Sequence, residues 1–199
     1  KVWQTNPAYL SGGTSYYITP NAVKVWWGSP VKLHLLAEGQ SSDQGRPPYD
    51  YNPGTGGRGG GLANLQAGVT TQLTVNLVDQ YYNVVRATTP FMLVTASNTP
   101  NVEMLFNNDA GIKARGFVPA SFTNALIAGT TTFAFRPVTR NQAAGLSVSV
   151  KTYGSLSFSS DTVSGMRVNP NTPTGLQLLL PTQFAVEGST AGKSGAEGP

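Results

Sequence analysis

The chain has 199 residues, of which 39% are hydrophobic and only 11% are charged, less than half of the usual charged share of about 25%. Its 13 basic residues are scattered singly, with a net charge of +4, whereas nucleic-acid binders usually cluster them on one face. The chain has no cysteine, which excludes disulfides, thiolate metal sites and cysteine nucleophiles. No apolar run approaches the roughly 18 residues that span a bilayer. We therefore expect neither a nucleic-acid partner nor membrane insertion.

Strand patterns recur along the whole chain, and helical periodicity is nearly absent. Between residues 68 and 168, short strands separated by turns roughly every ten residues give the strand count and span of an immunoglobulin-like β-sandwich. The sequence thus predicts an all-β fold. The predicted strands are 14–19, 22–27, 31–36, 72–78, 90–96, 102–106, 130–135, 146–152, 155–158, 161–168 and 175–180.

Residues 39–61 differ from the rest of the chain, because they contain eight glycines and three prolines and almost nothing to bury. This composition predicts an irregular loop or linker. The run "GTGGRGGG" has no Lys-Ser/Thr and no predicted helix after it, and a phosphate-binding loop needs both.

An internal repeat becomes visible when the sequence is shifted by 143 residues. Residues 23–36, "VKVWWGSPVKLHLL", then align without a gap on residues 166–179, "MRVNPNTPTGLQLL", with a valine, a proline and three leucines identical. The repeat predicts tandem units. Residues 1–30 would be terminal strands of a preceding unit or an N-terminal arm, 31–66 a strand plus the linker loop, 67–170 the sandwich, and 171–199 a strand and linker that start a following unit.

Three stretches carry a resemblance to a known family. "AGVTTQLTVNLVDQYYNVV" (67–85), "ALIAGTTTFAFRPVTRNQAAGLSVSV" (125–150) and "GLQLLLPTQ…GSTAGKSG" (175–195) resemble the Ig-like repeats of large extracellular bacterial proteins. The resemblance implies an Ig-like sandwich at the cell surface or in a secreted protein. Residues 39–66 depart from the family pattern, since they are longer and richer in Pro, Gly and Tyr.

Asp79 and Asn83 interrupt an alternating strand in "LVDQYYNVV". Asp and Asn side chains accept hydrogen bonds from nearby backbone N–H groups, so this spacing predicts a structural turn. We expect Asp79 to cap the turn and Asn83 to take its unfavourable backbone conformation. The alternative is a calcium site at a domain junction, but calcium needs six to eight oxygen ligands, and no further carboxylate lies nearby in the sequence.

Catalytic patterns are absent from the sequence. His34 is the single histidine, and strand alternation places it on the wetter face with Lys32. No Gly-x-Ser-x-Gly elbow accompanies it, and no two acids form a recognisable glycosidase pair. We expect no enzyme activity and no cofactor.

Aromatic and leucine side chains are the candidate contacts with other molecules. Neighbouring aromatic residues on a strand point to opposite faces, so one of each pair must lie outside its own sandwich unless something covers it. The interface candidates are Tyr16, Tyr17, Trp26, Trp27, Tyr49, Tyr51, Leu176, Leu178 and Leu180.

These features predict a structural building block of an extracellular bacterial filament, surface layer or stalk. Its partners would be copies of itself or adjacent units of a longer chain, joined through strand and aromatic contacts. The alternatives are an adhesin or carbohydrate-binding module, and a viral capsid or tail jelly roll, against which the internal repeat argues.

Overall fold

The computed structural model describes residues 27–45, 56–96, 102–106, 121–187 and 191–195, and these residues contain strands and no helix. In this part of the chain there is accordingly no helix that is long and apolar enough to cross a membrane. The strands are β1 (Lys32–Leu36), β2 (Gln40–Ser42), β3 (Arg58–Gly60), β4 (Leu65–Gln66), β5 (Thr71–Val78), β6 (Phe91–Ala96), β7 (Val102–Phe106), β8 (Ser121–Ala125), β9 (Thr130–Pro137), β10 (Asn141–Tyr153), β11 (Asp161–Asn169), β12 (Phe184–Ala185) and β13 (Lys193–Ser194).

Two larger sheets form a β-sandwich. One sheet has the order β1-β5-β9-β7 and the other the order β4-β11-β10-β6-β8. Their neighbouring strands run antiparallel, except that β4 runs parallel to β11. Two small hairpins, β2-β3 and β12-β13, lie outside these sheets.

The core lies between the two sheets and follows the period-2 alternation of the strands. In β5, for example, Leu73, Val75 and Leu77 are completely buried while Gln72 is exposed. Close packing of such side chains is the main stabilising contribution of the sandwich. The core consists of Leu33, Leu35, Ala37, Leu65, Leu73, Val75, Leu77, Val85, Met92, Val94, Ala96, Leu126, Phe133, Phe135, Leu146, Val148, Val150, Val163, Met166 and Val168.

The first strand, β1, connects the two sheets. One edge of β1 pairs with β5. On its other edge, Leu33 N donates to Ser159 O at 2.9 Å and Ser159 N donates to Val31 O at 3.0 Å. Ser159 lies just before β11, so β1 closes one side of the sandwich with hydrogen bonds toward both sheets.

A bulge in the β10–β11 pair corrects the phase of the alternation. The register shifts on either side of Leu146, and the inward residues Val163 and Met166 are three positions apart rather than two. Gly145 has a φ of 71°, and a Cβ added there would lie 2.5 Å from the Cα of Gly165. The two strands therefore approach each other through paired glycines, as a bulge with a close backbone approach requires.

Seven of the eleven strand predictions agree with the structure, and two do not. Residues 31–36, 72–78, 90–96, 102–106, 130–135, 146–152 and 161–168 lie in or overlap strands, whereas 155–158 and 175–180 are not strands. Strand β8 was not predicted. The glycine-rich segment 39–61 was predicted to be irregular, yet it contributes the hairpin β2-β3. The predicted strand 14–19 and residues 22–26 of the predicted strand 22–27 lie outside the described residues, and residue 27 is not in a strand.

Candidate interaction surfaces

Asp79 organises the turn that follows β5. Its Oδ1 accepts hydrogen bonds from Tyr81 N at 2.8 Å and Asn83 N at 3.0 Å. Its Oδ2 accepts from Asn83 Nδ2 at 3.0 Å and from Gly28 N at 2.8 Å. Each oxygen of this buried carboxylate therefore accepts two hydrogen bonds. Three of the four donors lie within the turn, and the fourth lies 51 positions earlier in the chain.

Tyr82, and not Asn83, takes the left-handed backbone conformation in this turn. Its φ is 64°, and Asn83 is not among the residues of positive φ. The expectation that Asn83 would take this position is thus wrong. Tertiary contacts of the Tyr82 ring explain the difference, because the ring packs against Gly57, tilts against His34 at 5.3 Å between centroids and lies under Lys32 Nζ at 3.5 Å. These contacts offset a backbone cost of about 1–3 kcal/mol.

The hydrogen bonds keep Asp79 ionised although it is buried. Burial raises the pKa of its carboxyl, but the hydrogen bonds from the Asn83 side chain and from three backbone N–H groups outweigh burial, so the pKa lies below its usual value. For the calcium alternative, no group of three or more metal-ligating side chains occurs in the described part of the chain. Asp79 acts there as an acceptor of N–H groups.

His34 lies in a buried pocket on the outer side of β1, where the sequence predicts a wetter face. Its side chain is 1% exposed, because the Tyr82 ring covers it. Among the described residues, neither ring nitrogen has a hydrogen-bond partner of normal geometry. Burial, reinforced by the charge of Arg58, lowers the pKa of His34 to about 4, although Asp161 and the Gly56 backbone favour the protonated form.

An ion pair satisfies the backbone of β1 next to this pocket. Arg58 Nη2 pairs with Asp161 Oδ2. The same Asp161 oxygen accepts Leu35 N at 2.7 Å, and Arg58 Nε donates to Leu35 O at 3.2 Å. The two side chains thus hold the N–H and C=O of one residue, as a neighbouring strand would.

A turn between β1 and β2 recurs 143 residues later. In the first copy, Gln40 N donates to Ala37 O at 3.0 Å, and Ala37 N donates to Gln40 Oε1 at 3.1 Å. In the second copy, Gln183 N donates to Leu180 O at 2.9 Å, and Leu180 N donates to Gln183 Oε1 at 3.2 Å. The same four atoms make the same two bonds at both places.

The hairpin that follows this turn also recurs. Asp43 N donates to Gly57 O at 2.8 Å beyond β2, and Val186 N donates to Gly192 O at 2.7 Å beyond β12. The first hairpin encloses a longer loop than the second. The local structure of residues 37–45 and 56–60 therefore matches that of residues 180–187 and 191–195, even though the numbers of residues between the two halves of the hairpins differ.

The glycine that ends each hairpin has the same role in both copies. Gly60 and Gly195 have φ values of 73° and 104°. A Cβ at Gly60 would collide with the carbonyl oxygen of Gly39, and one at Gly195 would collide with that of Thr182. Position 182 is position 39 shifted by 143, so the close backbone approach is reproduced as well.

The leucines before the two hairpins differ in their surroundings. Leu33 and Leu35 are buried in the sandwich core, whereas Leu176 is fully exposed and Leu178 is 80% exposed. Leu180 is 38% exposed. Residues 174–180 form no strand, and no described residue pairs with their backbone as β5 pairs with β1.

Most of the aromatic interface candidates lie outside the described residues, namely Tyr16, Tyr17, Trp26, Tyr49 and Tyr51. Trp27 is described and is 37% exposed. Sequence reasoning missed another exposed pair, Phe91 and Tyr153, which are direct partners across β6 and β10 and are 57% and 59% exposed. Strand alternation would have revealed Phe91, because it points to the face opposite to that of the buried Met92 and Val94.

No protein-family model matches the chain, and no curated protein is significantly similar to it in sequence. Two solved structures of glycosyl hydrolase family 2 members from Bacteroides cellulosilyticus are similar to it at TM-scores of 0.40 and 0.38, each with 14% identity. The matches cover 72% and 69% of this chain but only 15% of each of the other chains. Likeness at this level supports no inference about activity.

The His34 pocket predicts a specific loss of stability in acid. An unfolded chain takes up a proton at His34 near pH 6.5, whereas the folded chain resists it down to about pH 4. Stability is therefore fully present above the unfolded pKa and falls as the pH drops between these values. From pH 7.5 to 4.5 we expect this residue to remove about 2 to 3 kcal/mol from the free energy of unfolding, measured by urea denaturation.

The variant His34→Gln should lack this part of the pH dependence, because Gln has no titrating group. Gln is the natural residue at the equivalent position 177, so the control is Gln177→His, which adds an exposed histidine and should leave the wild-type pH dependence unchanged. Equal pH dependence of wild type and His34→Gln would contradict the buried, neutral histidine.

Proposed function

We propose that this chain is a structural module of an extracellular bacterial protein built from tandem Ig-like sandwich units, which associates through strand contacts. The observation that carries this proposal is the second copy of the β1 sequence and of the hairpin after it at residues 174–195, whose leucines Leu176 and Leu178 are uncovered. Its role is passive, since each sandwich would bury its own core and the short segments between units would set the overall shape. The extracellular location follows only from the family resemblance of the sequence.

The strand order supports the Ig-like part of the proposal. Taken in chain order, β1, β5, β6, β7, β9, β10 and β11 correspond to strands A to G of a constant-type Ig domain. The first sheet then has the order A-B-E-D, and the second contains G-F-C, as in that fold. Strands β4 and β8 are additions at the two edges of the second sheet.

The uncovered leucines support the association of units. Burying a leucine side chain contributes about 1.5–3 kcal/mol relative to leaving it exposed. Leu33 and Leu35 gain this stabilisation from the sandwich around β1, and Leu176 and Leu178 do not. A partner that presents a strand of the β5 type, with apolar residues at alternate positions, would supply it by antiparallel pairing.

The differences between the two copies indicate what this partner is. Ala37 is buried in the core, and the equivalent residue in the second copy is Leu180. Inserting 174–180 in place of β1 in another copy of this sandwich would overpack that position, which typically costs about 1–3 kcal/mol. The copy therefore fits a following unit with a larger space at this position better than it fits an exchange of identical strands.

A second candidate function, carbohydrate binding, is favoured by the exposed pair Phe91 and Tyr153. Phe91 and Tyr153 are cross-strand partners on the exposed face of the five-stranded sheet, and Leu156 and Ile127 are also exposed. Exposed aromatic side chains on a sheet can bind apolar faces of other molecules. This surface is separate from residues 174–195, so the two functions are compatible.

A chimera tests whether residues 174–195 start a sandwich. In this chimera, residues 27–195 are joined directly to a second copy of residues 61–169, and Leu180 is replaced by Ala to match Ala37. Since residues 174–195 then replace 31–60 in the second unit, we expect two folded sandwiches. The calorimetric enthalpy of unfolding per chain should be about twice that of residues 27–169.

The positive control for the chimera joins residues 27–173 to 31–169, so that the second unit has its own first strand. The negative control is the chimera with Leu176→Ser and Leu178→Ser, in which only the first unit should fold. If the positive control contains two folded sandwiches and the chimera contains only one, residues 174–195 do not act as the first strand and hairpin of a sandwich.

Light scattering during size-exclusion chromatography tests association of the 199-residue chain. We expect its apparent mass to rise with concentration above the monomer mass of 20.9 kDa, because a surface contact between copies buries Leu176 and Leu178 without inserting the segment in place of β1. The variant Leu176→Ser/Leu178→Ser should elute as a monomer, while Leu156→Ser, which removes another exposed leucine, should behave as wild type. A monomer at all concentrations would contradict association through this strand.

A glycan array tests the second candidate. If the exposed pair stacks on sugars, Phe91→Ala and Tyr153→Ala should each weaken binding about tenfold or more, since an aromatic contact is worth about 0.5–1.5 kcal/mol beyond the buried area. The control is Ile127→Ala, which removes exposed apolar surface without removing a ring. An array without any binding to the wild type would reject this candidate.

A further inference from the structure

The segment that leads into the sandwich is fixed at one backbone atom by Asp79. Gly28 N donates to Asp79 Oδ2 at 2.8 Å, and Val31 N donates to Val78 O at 2.9 Å. Pro30, between these two anchors, has no N–H and a restricted φ. The incoming backbone is therefore held against the end of β5 before β1 begins.

The Asp79–Gly28 bond differs from the other three bonds of this carboxylate. The bonds from Tyr81 N, Asn83 N and Asn83 Nδ2 lie within the turn and hold its shape. The bond from Gly28 adds nothing to the turn and connects it to a segment 51 residues earlier. Hydrogen bonds to a buried charged group are among the stronger ones in proteins, so this single bond is suited to fix a position.

The second copy of the repeat contains an equivalent of the Gly28 segment, but no carboxylate equivalent to Asp79 accepts its backbone N–H among the described residues. Asn171 and Pro173 are the equivalents of Gly28 and Pro30, and they precede the second leucine segment in the same way. There the Asn171 side chain itself accepts the next backbone N–H, Thr172 N, at 2.8 Å. A side chain is compatible with this position, because a Cβ added at Gly28 would meet Asp79 Oδ2 only at an ordinary 3.4 Å.

We propose that the Asp79 turn is the docking surface for the segment arriving from a preceding unit, and that its carboxylate fixes the orientation of one sandwich relative to the one before it. This inference rests on the proposed tandem arrangement. It assigns Asn171 N to the equivalent carboxylate of a following unit. The turn thus has a joint-forming role in addition to reversing the chain after β5.

The variant Asp79→Asn breaks this joint selectively. An amide keeps one acceptor oxygen and replaces the other by a donor NH2 group. With its oxygen toward Tyr81 N and Asn83 N, the turn keeps both backbone bonds, and the Asn83 amide can turn its own oxygen toward the new NH2 group. Gly28 N then faces a donor and loses its partner.

Asp161→Asn is the matched control, because Asp161 also accepts a backbone N–H, that of Leu35. Amide hydrogen exchange should separate the two variants. We expect Asp79→Asn to accelerate exchange at Gly28 about tenfold or more. Asp161→Asn should leave exchange at both Gly28 and Leu35 unchanged, because its remaining amide oxygen can still accept Leu35 N. Exchange at the core amides Val75 and Val150 reports any global loss of stability.

Orientation is measured with spin labels, for which the chain is well suited because it has no native cysteine. Labels at Trp27→Cys, directly before Gly28, and Lys151→Cys, on the exposed side of β10, should give a single narrow distance distribution in the wild type. The distribution should broaden in Asp79→Asn and stay narrow in Asp161→Asn. Gly28→Pro, which removes the N–H and leaves the carboxylate, should broaden it as well and decides the question if Asp79→Asn does not fold.

A distance distribution that is broad in the wild type would overturn the proposed joint. So would distributions in Asp79→Asn and Gly28→Pro that are as narrow as that of the wild type. Neither result depends on whether chains associate through Leu176 and Leu178. A monomeric chain with a narrow, Asp79-dependent distribution would retain the joint and reject the association. A chain that associates, and whose distance distribution does not depend on Asp79, would support the association and reject the joint.

Discussion

The structure depends on satisfying both backbone edges of β1. A strand at the side of a sandwich presents unpaired N–H and C=O groups, and leaving such groups buried without partners costs more than the hydrogen bonds themselves contribute. In this protein β5 pairs with one edge, and on the other Ser159 and the Arg58–Asp161 ion pair take the place of a strand. Because β1 is satisfied on both sides, Leu33 and Leu35 can be buried.

The turn after β5 contacts both the segment that precedes β1 and β1 itself. Asp79 binds the backbone of Gly28, and Tyr82 covers His34 on β1. The turn therefore joins three parts of the molecule: the segment before β1, the outer face of β1, and the end of β5. The positive φ of Tyr82 is stabilised by these contacts, since a tyrosine would not choose this conformation in an isolated peptide.

Sequence reasoning predicted the sandwich strands with apolar alternation, and it predicted a turn at Asp79. It could not identify β8, whose segment "SFTNA" has no clear alternation, nor the hairpin β2-β3, whose glycines match a linker as well as a turn. It placed His34 on a wetter face, because alternation gives the side of a strand but does not say what covers that side. The partners of Asp79 within four residues follow from local spacing, whereas Gly28 does not.

The two copies of the repeat separate what sequence decides from what tertiary structure decides. Short-range bonds recur at both places, because Gln40 and Gln183 each reach a backbone N–H three residues away and Gly60 and Gly195 each allow a close backbone approach. The sequence by itself therefore determines the hairpin. Whether the leucine segment before it becomes a strand is decided by tertiary structure alone: 32–36 is a strand beside β5, and 175–180 is not. The physical reason is that a strand obtains its hydrogen bonds and its apolar burial from another strand, and no sequence of six residues can supply either by itself.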